Sequence, residues 1–114
     1  MHELGIVFHM IDTLERVAKE NRVEKISAVT LELGEVSGVV PQELTSCWNW
    51  AVKKTAVMPQ AKLVIKTIPA VTLCENCQRT YPTVPQGRIC PNCGSENTWL
   101  TQGNEIELKE IEAF

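Results

Sequence analysis

The feature that most constrains this chain is a pair of matched cysteine spacings, Cys74-Glu75-Asn76-Cys77 and Cys90-Pro91-Asn92-Cys93-Gly94, with twelve residues between them. A two-residue spacer lets both thiolates of a pair turn toward one ion. Two such pairs close a tetrahedron of four sulfurs, the arrangement of a structural zinc site. Four thiolates leave no open coordination position, so the ion would be structural and not catalytic. The intervening loop is a little shorter than the usual zinc-ribbon spacing but can still form a hairpin. Gly94 permits the positive φ that a knuckle turn often needs. Redox-active dithiols and a rubredoxin-like iron centre compete with this reading. Zinc is favoured by availability and because no redox partner motif accompanies the pairs. Residues 70–101 hold three of the six prolines and few large aliphatic side chains. Metal must therefore supply much of the folding energy of this segment.

Elsewhere the hydrophobic period defines the elements. Leu4, Val7, Phe8, Ile11, Leu14 and Ala18 recur at helical spacing over residues 3–20, with Asp12, Glu15, Arg16 and Lys19 on the other side. Val29, Leu31 and Leu33 alternate with Ala28, Thr30 and Glu32, which predicts a strand over 25–33, followed by a turn at Gly34 and Gly38. Pro41 suits the first turn of a helix, whose apolar face is Leu44, Cys47, Trp48, Ala51 and Val52, ending near residue 55. Leu63 and Ile65 predict a strand over 61–68, closed by Pro69, and Ile106 and Leu108 predict a last strand over 104–112. The expected fold class is α+β: a three-stranded sheet with two helices, plus an inserted zinc-knuckle, zinc-ribbon-like domain. Residues 1–69 and 102–114 would form the α/β domain and residues 70–101 the metal domain. The last strand is expected beside the 61–68 strand, with the cysteine module as an oversized hairpin tip.

Composition narrows the function classes. The 114 residues are 44% hydrophobic and 22% charged, with a net charge of −3. That is an ordinary globular mixture, and it lacks the basic excess common in nucleic-acid binders. Apolar runs fall short of the roughly 18 residues that span a bilayer, and the N-terminus does not read as a signal peptide. A cytoplasmic location is expected, where thiols stay reduced. Cys47 stands alone on a helix face and reads as an inert core thiol. The only histidines are His2 and His9, and His9 reads as a partly buried helix residue. No acid–base pair, nucleophile constellation or phosphate loop appears, so no enzyme activity is expected. The rival reading is a zinc-ribbon nucleic-acid or protein-interaction module. Residues 70–101 offer it only Arg79 and Arg88 as cations and Tyr81 and Trp99 as aromatics.

The chain begins Met1-His2-Glu3. The Met1 α-amine, the His2 amide nitrogen and the His2 imidazole can chelate one ion through fused rings, and the Glu3 amide nitrogen can complete a square plane. Nitrogen-rich tetragonal geometry suits Ni(II) or Cu(II). A helix starting near Glu3 presents its positive dipole end, which disfavours a cation by roughly 0.3–1 kcal/mol. Deprotonated amides and the Glu3 carboxylate offset this. Met1-His2-Glu3-Leu4, the first amphipathic helix, Leu33-Gly34 with Ser37 shortly after, and two cysteine pairs before a final strand together make the chain resemble the HypA/HybF hydrogenase maturation nickel metallochaperones. The resemblance covers essentially the whole chain. It implies that His2 is the key nickel ligand, with Glu3 beside it and the Met1 amine as co-ligand, and that Cys74, Cys77, Cys90 and Cys93 hold structural zinc. The α/β domain becomes the nickel-binding one. It also implies delivery of nickel(II) to the [NiFe] hydrogenase large-subunit precursor with a HypB-type GTPase, service to urease maturation factors, and no nucleic-acid or membrane partner. Some relatives carry a histidine beside the cysteine pairs and a Gly followed by Ser or Thr after the second helix. Here there is no such histidine, and the loop reads Lys54-Thr55-Ala56.

Overall fold

The run of 3.6-residue period at the start of the chain forms α1 (Glu3–Glu20), which buries Val7, Met10, Ile11, Leu14 and Ala18. This stripe differs at its edges from the expected one: Leu4 is 39% and Phe8 50% exposed. At about 100° per residue, Phe8 sits roughly 100° from the stripe's centre and Met10 only about 60° on the other flank, so Met10 goes in and Phe8 stays out. The computed structural model describes residues 2–114. They divide into two compact units. One comprises the chain up to Glu32 with Val39–Lys66 and Glu107–Phe114; the other comprises Leu33–Gly38 and Thr67–Ile106.

The first unit holds α1, α2 (Pro41–Val52) and all but the end residues of β1 (Ile26–Gly34), β2 (Lys62–Ile68) and, last in the chain, β6 (Ile106–Ala113). The sheet is three-stranded in the order β2-β1-β6. Ile26 N–H bonds to Val57 O at one end and Glu35 N–H to Ile68 O at the other, so β1 and β2 run parallel with α2 as the crossover. Lys25 and Phe114 exchange backbone bonds of 3.1 and 2.9 Å, so β6 runs antiparallel to β1. The expectation that β6 would pair with β2 is therefore corrected: β1 lies between them. Charge explains the order. β1 buries Ile26, Val29, Leu31 and Leu33, whereas β2 carries Lys62 and Lys66 and β6 carries Glu107, Lys109, Glu110 and Glu112. Charged strands are tolerated at sheet edges, and the apolar one takes the centre. The core is completed by Leu44, Trp48, Ala51 and Val52 of α2 and by Met58. Trp48 is fully buried, and its indole Nε1–H donates to Ala61 O at 2.9 Å, as a buried indole must.

The second unit is a three-stranded antiparallel sheet of order β4-β3-β5, formed by β3 (Val71–Cys74), β4 (Thr80–Pro82) and β5 (Thr98–Gln102), with a single-turn helix α3 (Thr83–Gln86). Thr72 pairs with Tyr81 on one side and Leu100 on the other. Leu33–Gly38 joins this unit through backbone bonds: Gly34 N–H to Glu105 O at 2.7 Å and Val36 N–H to Gly103 O at 2.8 Å. Glu35 Oε1 accepts the Ala70 N–H at 2.9 Å. Here three backbones touch. A Cβ on Gly34 would overlap the Gly103 carbonyl, and one on Gly103, at φ 117°, would overlap Ala70.

Gly103→Ala should therefore lower stability by about 3 kcal/mol, since it adds a backbone clash to a left-handed φ. Gly94→Ala is the control. Its φ is 75° but nothing lies within 4 Å of an added Cβ, so it should lose only about 1 kcal/mol. Denaturant melts of the two variants check the contrast.

Candidate metal centres

The four cysteines of the paired motifs converge. Cys74 ends β3, Cys77 sits in the turn before β4, and Cys90 and Cys93 lie between α3 and β5. Their sulfurs all lie within 4.8 Å of one another, with Cys74–Cys93 at 3.6 Å and Cys77–Cys90 at 3.7 Å. A tetrahedron with metal–sulfur bonds of about 2.3 Å has sulfur–sulfur edges of about 3.8 Å, so the thiols have the spacing and the chemistry to hold one ion. Local backbone geometry makes this possible, and it is the same in both knuckles. Cys74 N–H bonds to Arg79 O and Cys90 N–H to Ser95 O; Gln78 N–H bonds to Cys74 O and Gly94 N–H to Cys90 O. Gln78 at φ 61° occupies the position of Gly94 at φ 75°. Tyr81 packs against Cys74 and Cys90 and donates its hydroxyl to Gly87 O at 3.0 Å.

The donors around the sulfurs set their charge. Cys77 is held down to about 6 by the Asn92 side chain and then by the Arg79 N–H. Cys93 is lowered by the Ser95 N–H and then by the Asn76 side chain. Cys74 accepts a bond from the Cys77 N–H that favours its thiolate, but burial and shared protons with Cys93 and Cys77 push it up to about 11. N–H donors aimed at sulfur favour the thiolates that a cation requires.

At the other end of the chain, Met1 lies outside the described residues. His2 is exposed and is the N-cap residue of α1, with no capping bond from its side chain. Glu3 is 6% exposed, and its Oε2 accepts the Val40 N–H at 3.1 Å. Val40 is the N-cap of α2, and Glu43 stands at its third helical position. Glu3 thus does from another helix what the glutamate of a capping box does locally, and Glu43 is left to line an open groove of about 830 Å³ with His2, Phe8, Ser46 and Cys47. Bonding to Val40 N–H lowers the Glu3 pKa, which overcomes the opposing effect of burial. His9 is exposed rather than partly buried. It lies two turns, about 10 Å, along α1 from His2, so the fold does not bring the two together. Cys47 is half-buried.

A family model described as hydrogenase/urease nickel incorporation, metallochaperone, hypA, matches residues 1–113. The hydrogenase maturation factor HypA of Albidiferax ferrireducens is 33% identical over 112 residues, covering 98% of each chain. That of Geobacter metallireducens is 34% identical over 112 residues, again covering 98% of each. The solution structure of the Ni metallochaperone HypA from Helicobacter pylori superposes with a TM-score of 0.74 at 30% identity, over 99% of this chain and 97% of that one. The chain belongs to the HypA family. HypA proteins are nickel metallochaperones of hydrogenase/urease nickel incorporation, not enzymes, and their partners are those of hydrogenase maturation. Among the described residues no helix is long and apolar enough to cross a membrane.

Sequence reading alone missed three features of this HypA chain. The cross-helix bond of Glu3 has no signal in sequence, because its partner is a backbone N–H distant in the chain. Gln78 in the left-handed region was hidden because only glycine advertises that conformation. The asparagines next to Cys77 and Cys93 could have been noticed, since each precedes the second cysteine of its pair.

Because the folded pKa of Glu3 lies below its unfolded value, its contribution to stability is present above the unfolded carboxylate range and is lost as pH falls through the folded pKa. Melting of the wild type relative to Glu3→Gln should show a wild-type advantage at neutral pH that begins to shrink near the ordinary glutamate value of about 4.3 and is lost as pH falls further, through the lowered folded pKa. A pH-independent difference would contradict this.

Proposed function

We propose that this protein carries nickel(II) at its N-terminus and hands it to the [NiFe] hydrogenase large-subunit precursor in the cytoplasm, assisted by a HypB-type GTPase and, where present, urease maturation factors. The observation that carries the reading is the family match over residues 1–113, which takes in both His2 and the four cysteines. His2 supplies imidazole and amide nitrogen, the Met1 amine is a co-ligand, and Glu3 offers its amide nitrogen. The exposure of His2 supports this role. The amides of a helix's first turn lack intrahelical partners, so metal binding at the Glu3 nitrogen breaks no helix bond. The Glu3 carboxylate keeps negative charge beside the site, which offsets the helix dipole. Nitrogen donors in a plane select nickel over zinc.

In the same reading the four cysteines hold zinc permanently, without an open position. The two ions make opposite demands. Zinc must stay, and its ligands converge from two knuckles. Nickel must leave, and His2, its principal proposed ligand, is exposed. Capture of the imidazole by a recipient, or reprotonation of the amides, releases it.

A nickel(II) titration of zinc-loaded protein with its native N-terminus should saturate near one ion per chain. His2→Ala should lose that binding and keep its zinc. Equal nickel binding by both proteins would remove the N-terminal site. After zinc is stripped with a chelator and the chelator removed, the second unit should melt, because its folding is coupled to the metal, while nickel added afterwards still binds at a site that His2→Ala lacks. Loss of both together would contradict separate sites.

A further inference from the structure

One bond ties the start of α1 to the start of α2: the Val40 N–H donates to Glu3 Oε2 at 3.1 Å. His2 adjoins Glu3 on one side of that bond. Glu43 stands in the first turn of α2 on the other side, three residues past Val40, which is about 4.5 Å of helix rise. The bond therefore brings His2 and Glu43 to one place, and both line the groove that Gly5 and Phe8 wall from α1 and Ser46 and Cys47 from α2. The His2 side chain leans toward that groove. Its Cβ lies 3.9 Å from where a Cβ on Gly5 would stand.

A glutamate at the third helical position ordinarily reaches back to the N-cap N–H. In α2 that donor is the Val40 N–H, and Glu3 has taken it. The two carboxylates next to His2 thus differ in what they can do. Glu3 is 6% exposed and committed to a backbone bond. Glu43 is exposed, faces the groove and is not needed at the helix start.

In the proposed nickel chelate the imidazole closes its six-membered ring through Nδ1, so its Nε2–H points away from the ion. A metal-bound imidazole almost always gives that second N–H to a carboxylate, a carbonyl or water, which fixes the ring and raises its basicity. Gln42, Ser46 and Cys47 also line the groove, but a carboxylate is the stronger acceptor. We infer that Glu43 accepts the His2 Nε2–H when nickel is bound and so orients the imidazole on the ion. Glu43 is a positioning residue and not a ligand. The inference rests on the nickel reading of the N-terminus and adds to it a residue from the second helix.

The test is a nickel(II) titration of the zinc-loaded chain with its native N-terminus, in competition with a chelator, joined to proton NMR of the nickel-loaded protein. Glu43→Ala should weaken nickel binding about 10- to 100-fold and keep the zinc content and melting temperature of the wild type. Glu43→Gln retains a neutral acceptor, so it should fall between Glu43→Ala and the wild type. Gln42→Ala and Ser46→Ala, in the same groove, should bind within about twofold of the wild type. The exchangeable His2 imidazole N–H should persist in the nickel-loaded wild type and exchange at least about tenfold faster in Glu43→Ala. Equal nickel binding by the wild type and His2→Ala would overturn the N-terminal site and this inference with it. Nickel held through His2 but unaffected by Glu43→Ala would overturn the role of Glu43 alone. So would Glu43→Gln as weak as Glu43→Ala, an unchanged N–H exchange rate, or a Glu43→Ala chain that loses zinc or folded structure along with its nickel.

Discussion

Around the four sulfurs the buried cluster consists of Cys74, Tyr81 and Cys90, with Cys77 packed against it. Ordering backbone costs about 1–2 kcal/mol per residue, and so little apolar surface cannot offset that over the length of the second unit. Metal–sulfur bonding can. Structural zinc in small domains contributes apparent energies of about 10–16 kcal/mol at neutral pH. The convergence of four thiols therefore decides whether β3, β4 and β5 have a reason to pair, and the knuckle bonds of Cys74 with Arg79 and Cys90 with Ser95 are what aim the thiols. The outward-facing Ile89 and Trp99 fit this view: a unit that a bound ion would organise does not have to bury every large apolar side chain.

The first unit solves its stability problem in the usual way, with helix and strand faces meeting over Val7, Leu14, Leu31, Leu44 and Trp48. Its unusual feature is Glu3, a buried carboxylate one residue from an exposed histidine. By bonding Val40 N–H, Glu3 fixes the first turn of α1 against the start of α2. The tether ends there, and His2 projects beyond it. In the proposed nickel site, a firm anchor directly preceded by an exposed histidine suits an ion that has to be presented and then released.

Much of this was legible from periodicity. Both long helices and the strands of the first sheet appear where hydrophobic spacing put them, because each has one face that must be buried. What was not legible depends on partners distant in sequence. Alternation over 104–112 marks a strand but carries no information on its neighbour, and the apolar content of β1 decided its central place. Nothing in the patterning marks residues 33–38 as part of the cysteine-bearing unit, because they are held by backbone contact of Gly34 with Gly103 and by the bond of Glu35 to Ala70. The cysteine cluster was the clearest signal, since four thiols at matched spacing have few other uses. Its outer shell was not, because an asparagine beside a cysteine does not reveal which sulfur it will reach.

The central claim is that one chain keeps two ions apart by ligand chemistry, sulfur for the one it retains and nitrogen for the one it delivers. X-ray absorption at both metal edges, on protein loaded with one nickel and one zinc, tests this most directly. The account requires a zinc edge with four sulfurs near about 2.3 Å and a nickel edge with nitrogen and oxygen neighbours only. Sulfur in the nickel shell, or nitrogen in the zinc shell, would contradict it.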